Sequence, residues 1–387
     1  MTHQPSQTTT LGGIQDHAAG GLLHIDLDAL AANWRSLRDR AGAAEAAAVV
    51  KADAYGTGIE KAAPALAKAG CRTFFVAHLS EAVRVRAVAP DATIYVLNGL
   101  LAGTSPTYAQ FSLRPVLGSS EEIEEWASFC RAQGRLPAAI HVDTGMNRLG
   151  LTVPEGLALK DLASLKDFDT ALLMSHFAGA DESGNPVTKQ QIEAFQAVRE
   201  SLPGIPASLA NSSGIFLEDK PYFDLVRPGY ALYGGNPTPD RDNPMRAVVG
   251  LEARIVQLRW VEADHTVGYN GRWIAVSRRR IATISVGYAD GYPRAASSRG
   301  RSSEELLAGL ALVAGRTCPF AGNVSMDLIT VDVTDVPEAE VRRGDTVTLI
   351  GGSLTLDEVG RRAGTIGYEI LTGLGARYAR TYRGANG

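Results

Sequence analysis

The chain has 387 residues, 45% of them hydrophobic, which is enough to bury a large core and favours two domains. Its 38 basic and 42 acidic residues give a formal net charge of −4 and are mixed along the chain, so we expect no binding to nucleic acid. No apolar run reaches the roughly 18 residues of a membrane-spanning helix, and the three cysteines lack metal-ligand spacing, so neither membrane insertion nor a metal site is predicted.

The N-terminal segment is predicted to be a disordered tail. Residues 1–21 are rich in Thr, Gln and Gly and show neither the charged start nor the apolar core of a secretory signal, so we predict a cytoplasmic protein. The odd number of cysteines fits reduced thiols rather than a disulfide framework. Two domains are predicted to follow the tail, over residues 22–250 and residues 251–387.

Residues 22–250 alternate short apolar runs with amphipathic helical patterns, an order typical of parallel strands joined by right-handed helical crossovers. Eight runs qualify as strands, and eight is the number that closes a (β/α)8 barrel. The predicted strands are Ala47–Val50, Phe74–Ala77, Ile94–Leu97, Arg114–Leu117, Ala139–Asp143, Leu172–His176, Ser208–Asn211 and Leu225–Pro228. The predicted helices between them include Ile59–Ala69, Ser119–Gln133 and Thr188–Leu202. In such a barrel the chemistry is expected at the carboxyl ends of the strands.

After about residue 250 the sequence changes to short strands separated by turn residues. The predicted strands are Arg254–Val261, Arg280–Val286, Leu328–Val333 and Asp345–Ile350. A helix is predicted over Leu356–Ala363, and another begins at Tyr368. The expected fold is therefore α/β, with an N-terminal (β/α)8 barrel and a C-terminal mainly β domain.

A lysine stands at the end of the first predicted barrel strand. Lys51 follows the apolar run Ala46–Val50, so it would lie where the sheet opens onto its ligand-binding face. A charged group at that depth is costly unless it is paired or used chemically, and a desolvated lysine is the usual source of a Schiff base with a carbonyl compound. A lysine that merely extends from the strand end into solvent is the alternative that this segment leaves open.

Seven motifs occur in order along the chain. They are residues 50–58 (VKADAYGTG), 141–150 (HVDTGMNRLG), 175–178 (SHFA), 211–214 (NSSG), 227–234 (RPGYALYG), 286–294 (VGYADGYPR) and 322–327 (GNVSMD). With these motifs the chain resembles the fold-type III pyridoxal-phosphate alanine racemases, from Leu22 to Arg383. The resemblance implies bound pyridoxal 5′-phosphate, an isomerase activity on alanine and a homodimer with shared active sites.

The resemblance implies two catalytic residues. Lys51 matches the lysine that binds the cofactor covalently and acts as one acid–base group, and Tyr288 matches the opposing base, supplied by the other subunit. Two groups are the natural solution because a proton must leave one face of the α-carbon and return to the other. Tyrosine titrates near pH 10, so a tyrosine that acts as a base at neutral pH needs positive groups nearby.

Further residues are implied as cofactor ligands. Arg227 matches an arginine that faces the pyridine nitrogen, and with His176 it resembles a hydrogen-bonded chain toward the catalytic tyrosine. An arginine at that nitrogen donates a hydrogen bond without transferring a proton, which favours reprotonation at the α-carbon over transamination. The other implied cofactor ligands, most of them at the phosphate, are Tyr55, Asn211, Ser212, Gly229, Tyr230 and Tyr368. His176 as a buried structural histidine and Ser212 as a helix cap are the alternatives.

The substrate carboxylate is expected to contact Arg148 and the backbone amide of Met326, the latter from the partner chain; Met326 as a core residue is the alternative. One position departs from the family pattern. Many members carry a carbamylated lysine seven residues before the arginine that matches Arg148, and here that position is His141. We hypothesise that a bound anion such as chloride, or a neutral hydrogen bond from His141, positions Arg148 instead.

Three other functions are compatible with parts of the pattern. A single-barrel pyridoxal-phosphate homeostasis protein shares the lysine motif but lacks the second domain and the partner-supplied tyrosine. A decarboxylase of the same architecture places an acidic residue where this chain has Arg227. A racemase of broader or serine specificity would use the same residues, and the sequence does not distinguish D-alanine supply for peptidoglycan from alanine catabolism.

Overall fold

The computed structural model describes residues 8–9, 18–301 and 308–384, which form two compact units. The barrel unit comprises residues 30–54 and 58–246, and the β unit comprises the described residues of 1–29, 55–57 and 247–387. Most of the predicted N-terminal tail, residues 1–7 and 10–17, lies outside the described residues. Within the described ranges no helix is long and apolar enough to cross a bilayer.

The barrel unit contains the predicted parallel strands. In chain order they are Glu45–Ala46 with Ala48–Val49, Thr73–Val76, Thr93–Val96, Arg114–Leu117, Pro137–His141, Asp169–Met174, Ala207–Ser208 and Leu225–Val226. Each pairs in parallel with its neighbour from Ala48–Val49 to Ala207–Ser208. The last strand joins the ring through the Arg227 N–H, which donates to the Ala210 carbonyl at 2.8 Å, and through its parallel pairing with Glu45–Ala46. The predicted (β/α)8 fold is confirmed.

Burial explains why these short runs form strands. All four residues of Thr73–Val76 are buried, as expected for a parallel sheet covered on both faces. Helices of this part of the chain are Leu27–Ala41, Ile59–Ala69, Leu79–Val88, Ser105–Gln110, Ser120–Gln133, Val153–Ala158 and Pro186–Ser201. Ile59–Ala69 begins and ends at the predicted residues, because its buried face is periodic and Gly70 ends it in the left-handed conformation, φ 117°.

The β unit is built on a mixed sheet. Its central strand, Val249–Val261, pairs antiparallel with Gly21–Asp26, Thr346–Ile350 and Arg279–Ile284. Further strands of the sheet are Thr8–Thr9, Leu310–Val313, Arg316–Pro319, Ile329–Asp332 and Ala379–Arg383. A small sheet holds Thr266–Val267, Trp273–Ile274 and Gly300–Arg301, and the helices are Leu356–Arg362 and Gly367–Thr372. The predicted mainly β architecture of this region is confirmed.

One strand lies in a sheet that the sequence pattern did not indicate. Gly21–Asp26 pairs in parallel with Ala379–Arg383 and antiparallel with Val249–Val261, so residues 22–26 belong to the sheet of the β unit. The sequence alone assigns these residues to the barrel domain and predicts no strand here. The difference arises because their hydrogen-bond partners are more than 200 residues away in the sequence, where local periodicity carries no information.

Candidate active site

Lys51 follows the strand Ala48–Val49 and therefore lies at the carboxyl end of the barrel strands. Its neighbour Val50 is fully buried, and the lysine itself is half-buried. Burial lowers the pKa of Lys51 below its ordinary value, the charge of Arg148 lowers it further, and the charge of Glu81 acts in the opposite direction. A larger fraction of the amine is therefore neutral, which is the form that attacks a carbonyl carbon.

The chain turns left-handed directly after this lysine. Ala52, Asp53 and Ala54 have φ values of 52°, 54° and 54°, a region that costs non-glycine residues about 1–2 kcal/mol each. The Asp53 N–H donates to Glu81 Oε1 at 3.2 Å, and Asp53 Oδ1 accepts from the Ile59 N–H at 3.1 Å. Such strain persists at functional sites where surrounding contacts hold it. Neither this turn nor the contact with Glu81 was predicted.

Arg227 ends the last barrel strand and is 3% exposed. Its guanidinium donates to the Ser175 carbonyl at 2.5 Å and to Ser208 Oγ, and it lies 5.8 Å from the centre of the Phe75 ring. Among the described residues no carboxylate pairs with it. Burial lowers the pKa of Arg227 to about 9, so the guanidinium stays protonated at neutral pH and presents N–H donors inside the barrel.

Two histidines lie within reach of this charge. Burial, followed by the charges of Arg227 and Lys51, lowers the pKa of His176 well below its ordinary value. Burial and the charge of Arg227 lower the pKa of His141 to about 4. Both imidazoles are therefore neutral near pH 7, and the positive charge of this end of the barrel comes from the lysine and the arginines. Such a group of cations favours an anionic ligand.

Neutral donors and acceptors surround a short helix at the same end of the barrel. Ser212 Oγ accepts from the Gly229 N–H at 3.0 Å and from the Ala231 N–H at 3.2 Å, at the start of the 3-10 helix Tyr230–Tyr233. Asn211 Oδ1 accepts from the Gly214 N–H at 2.9 Å. The predicted phosphate ligands of this unit are thus brought together, with the Ser212 hydroxyl held against two backbone amides.

Arg148 lies in the loop that follows Pro137–His141, and its side chain is exposed. Asp143 shapes this loop, because its carboxylate accepts from the N–H groups of Gly145 and Met146, each at 2.8 Å, and of Arg148 at 3.1 Å. In the ranges that the structure describes, no carboxylate forms an ion pair with the Arg148 guanidinium. The guanidinium can therefore take a carboxylate ligand.

Tyr288 and Met326 lie side by side in the β unit. The Tyr288 N–H donates to the Ser325 carbonyl at 3.0 Å, and the Ala289 N–H donates to the Met326 carbonyl at 2.9 Å. Both side chains are exposed to solvent although they are large and hydrophobic, with Tyr288 40% and Met326 53% exposed. The sequence assigned both residues to a partner's site, and the structure brings them into one exposed cluster, which we call the tyrosine loop pair (residues 287–290 and 325–327).

Two features hold the tyrosine loop pair together. A Cβ at Gly287 would lie 2.3 Å from the Met326 carbonyl oxygen, so only glycine permits this approach. Arg377 contacts a carboxylate in each loop, Asp290 at 3.1 Å and Asp327 at 2.8 Å. Arg377 was not predicted, because nothing in its local sequence indicates contact with residues some 50 to 90 positions earlier.

Tyr55 and Tyr368, both predicted phosphate ligands, also lie together in the β unit. Their ring centroids are 6.3 Å apart, with Tyr55 buried and Tyr368 39% exposed. Burial, and to a lesser extent the neighbouring Tyr368, raises the pKa of the Tyr55 hydroxyl above its ordinary range. The hydroxyl therefore keeps its proton and is suited to donate a hydrogen bond to an anion.

The comparison with family models matches both parts of the chain. The alanine racemase N-terminal domain model matches residues 25–237, and the alanine racemase C-terminal domain model matches residues 248–382. The alanine racemase of Methylobacterium nodulans is 61% identical over 364 residues, covering 94% of this chain and 96% of that protein. The alanine racemase of Rhizobium meliloti is 46% identical over 370 residues, covering 95% and 98%.

Solved structures give the same result. The alanine racemase of Bartonella henselae with covalently bound pyridoxal phosphate has a TM-score of 0.88 and 41% identity, and covers 94% of this chain and 100% of that chain. The biosynthetic alanine racemase of Pseudomonas aeruginosa has a TM-score of 0.86 and 37% identity, and covers 95% and 100%. The similarity therefore extends over both units.

Proposed function

The chain belongs to the alanine racemase family, and we propose that it interconverts L-alanine and D-alanine with pyridoxal 5′-phosphate held on Lys51. The observation that carries this function is the barrel end, where a lysine with a lowered pKa stands among cations and backbone amides. These residues fit an aldehyde with a phosphate group. When bound, the cofactor supplies the electron sink that makes the α-proton of alanine acidic.

We assign each part of the cofactor to different residues of the barrel unit. The neutral Lys51 amine would hold the aldehyde group, and Ser212 with the Gly229 and Tyr230 backbone would hold the phosphate. Arg227 would donate a hydrogen bond to the pyridine nitrogen, and its contacts with uncharged oxygens keep it in place. Because the guanidinium retains its protons at neutral pH, that nitrogen would receive no full positive charge, which would favour racemisation over transamination.

Proton transfer needs one group on each face of the α-carbon. We assign one face to Lys51 and the other to Tyr288 of a second copy of the chain. The exposure of the tyrosine loop pair supports this assignment, because a catalytic phenol has to be shielded from water by something that the β unit alone does not supply. We therefore propose a homodimer in which each site combines the barrel end of one subunit with the tyrosine loop pair of the other.

The substrate carboxylate is assigned to the Arg148 guanidinium, with the Met326 amide from the partner. His141 stands where many relatives carry a carbamylated lysine, and its lowered pKa leaves it neutral. It therefore brings no charge to Arg148, which agrees with both versions of the hypothesis: a bound anion such as chloride, or a neutral hydrogen bond from His141, orients the guanidinium. Crystals soaked in bromide should show an anomalous peak beside Arg148, and the anion hypothesis fails if that peak is absent.

The alternative functions are less well supported. A single-barrel homeostasis protein does not fit, since the C-terminal domain model matches residues 248–382. A decarboxylase does not fit a chain whose relatives over nearly its full length are alanine racemases. We place the enzyme in the cytoplasm, where D-alanine would serve peptidoglycan synthesis or alanine would be degraded. A kinetic panel of L-amino acids with chiral product detection would establish whether serine is also accepted.

The reaction is tested by incubating L-alanine with the protein and pyridoxal 5′-phosphate in deuterated buffer. Because the proton that returns comes from solvent-exchanged groups, we expect D-alanine carrying deuterium at the α-carbon, detected by chiral chromatography with mass spectrometry. Release of ethylamine would instead indicate decarboxylation and would contradict the proposed function. A sample without cofactor, treated in the same way, is the control.

A further inference from the structure

A carboxylate on the helix Leu79–Val88 contacts the left-handed turn behind the catalytic lysine. Glu81 is the third residue of this helix, and its Oε2 accepts from the Ala77 N–H at 3.0 Å and the His78 N–H at 3.1 Å. This is an ordinary role for glutamate at a helix start. Its other oxygen, Oε1, accepts from the Asp53 N–H at 3.2 Å. One carboxylate therefore joins the start of the helix to the turn.

The same helix holds the side chain of Asp53 as well. Arg84, one turn after Glu81, donates to Asp53 Oδ1 at 2.5 Å and forms two bonds of 2.7 Å with the Glu60 carboxylate. Asp53 is thus fixed at its backbone N–H and at its carboxylate. Left-handed backbone in four consecutive non-glycine residues, Ala52 to Tyr55, is unfavourable by itself, so contacts of this kind help to keep the turn in place.

We propose that Glu81 is a positioning residue for the catalytic lysine: by holding the Asp53 N–H, it fixes the direction in which the Lys51 side chain leaves the strand end. The inference rests on the proposed role of Lys51. Glu81 also acts electrostatically, since its charge raises the pKa of Lys51 against the lowering by burial and by Arg148. One half-buried carboxylate thereby influences both the direction and the protonation of the amine.

The chain contains a matched control for this role. Glu122, the third residue of the helix Ser120–Gln133, accepts from the Gly118 N–H at the helix start at 2.6 Å. Its other oxygen accepts from the Leu100 N–H at 2.7 Å, in the loop after the strand Thr93–Val96. The two glutamates therefore make the same kinds of bonds in neighbouring parts of the barrel. They differ in that the loop held by Glu122 carries no lysine.

The test compares Glu81→Gln with Glu122→Gln in the full chain freed of cofactor. Pyridoxal 5′-phosphate is added across a pH series, and its covalent attachment is followed by visible absorbance. At high pH the amine is neutral in every variant, so the plateau rate reports its direction, whereas the midpoint reports its pKa. We expect the plateau of Glu81→Gln to fall about tenfold or more, as misplacement of a reacting group predicts. Its midpoint should move to lower pH, and Glu122→Gln should keep both wild-type values.

The outcomes separate a positioning role from a purely structural one. Equal plateaus in the two variants would overturn the proposal, because Glu81 would then act only at the helix start, as Glu122 does. Should Glu81→Gln fail to fold, the same comparison is made with Glu81→Asp and Glu122→Asp, and a lower plateau in the first alone supports the role. If the wild-type chain forms no visible adduct, or Lys51→Ala still forms one, the proposed function fails rather than the positioning role.

Discussion

The barrel end and the tyrosine loop pair prepare their residues in opposite ways. At the barrel end, burial lowers the pKa values of both Lys51 and Arg227, and the charge of Arg148 lowers that of Lys51 further. In the tyrosine loop pair, Tyr288 and Met326 are positioned by backbone hydrogen bonds and by Arg377, but their side chains stay 40% and 53% exposed. In the first region, burial sets the pKa values of the side chains. In the second region, the backbone is held in place but the side chains remain exposed to solvent.

This difference indicates where each half of the site is completed. A buried amine among cations can bind an aldehyde and a phosphate with residues of one chain. An exposed phenol cannot exclude water from a proton transfer unless another surface covers it. This contrast is the basis for our proposal that the barrel end and the tyrosine loop pair are half-sites supplied by different subunits.

The largest effect should come from the barrel end. Lys51→Ala removes the amine to which we assign the cofactor, so we expect loss of both the visible absorbance and measurable racemisation. Absorbance spectra of the dialysed protein and chiral assays of alanine give the two readings. Lys68→Ala, at the end of the helix Ile59–Ala69, is the control and should remain yellow and active. A yellow Lys51→Ala protein would contradict the assignment.

Tyr288→Phe, in the tyrosine loop pair, should reduce racemisation less than Lys51→Ala does. Removal of a general acid–base group typically costs about 10²- to 10⁴-fold, so kcat should fall within that range while the protein keeps its cofactor. Exchange of the α-proton with solvent should persist on the lysine face and can be followed by deuterium incorporation. Tyr269→Phe, which changes a tyrosine that is 70% exposed in the same unit, is the control. A loss of less than about tenfold in Tyr288→Phe would argue against its role as a base.

Loosening the tyrosine loop pair should have a modest effect. Arg377→Gln removes the contacts with Asp290 and Asp327. Because the arginine is about half exposed, water screens both ion pairs, and we expect kcat/KM to fall only about two- to fivefold. Arg361→Gln, which breaks an exposed pair with Glu358 on the helix Leu356–Arg362, should leave kcat/KM unchanged. Equal kinetics in both variants would show that Arg377 does not align the loops.

The smallest effect concerns acid stability at the barrel end. The pKa of His141 is about 4 in the folded chain and near 6.5 when the histidine is exposed, so the unfolded chain takes up the proton first as the pH falls. Stability is therefore unaffected above about pH 6.5 and is lost progressively between about pH 6.5 and pH 4. His141→Gln should reduce the fall in Tm between about pH 7 and pH 5 by about 2–4 °C. Calorimetry of both proteins tests this, and identical falls would contradict the burial of His141.

Periodicity and apolar runs in the sequence predicted the helices and strands whose burial is visible in their own residues. The helix Ile59–Ala69 and the buried strand Thr73–Val76 were found because periodicity and apolar runs reflect their own burial. The strand Gly21–Asp26 was not predicted, since its partners lie at residues 249–253 and 379–383. The same reason explains why the motifs indicated Lys51 and Tyr288 but not the residues that hold them.

The residues missed in the site are those that act through tertiary contact. Glu81 reads as an ordinary glutamate at a helix start, and Arg377 reads as a surface arginine. Gly56 indicates a turn in this motif, but nothing in the sequence indicates that the preceding four residues, Ala52 to Tyr55, are also left-handed; contacts with Glu81 and Arg84 hold Asp53 within this segment. Sequence motifs thus identified the reacting groups, whereas the geometry that directs them emerged only from the fold.

The shared site is tested most directly by mixing two inactive variants. Lys51→Ala keeps an intact Tyr288, and Tyr288→Phe keeps an intact Lys51. If each site combines two chains, subunit exchange yields one intact site per mixed dimer, and about a quarter of the wild-type activity should return at random pairing. If each chain carried its whole site, the mixture would remain as inactive as its components. No recovery of activity, despite subunit exchange verified by native mass spectrometry, would contradict the two-chain active site.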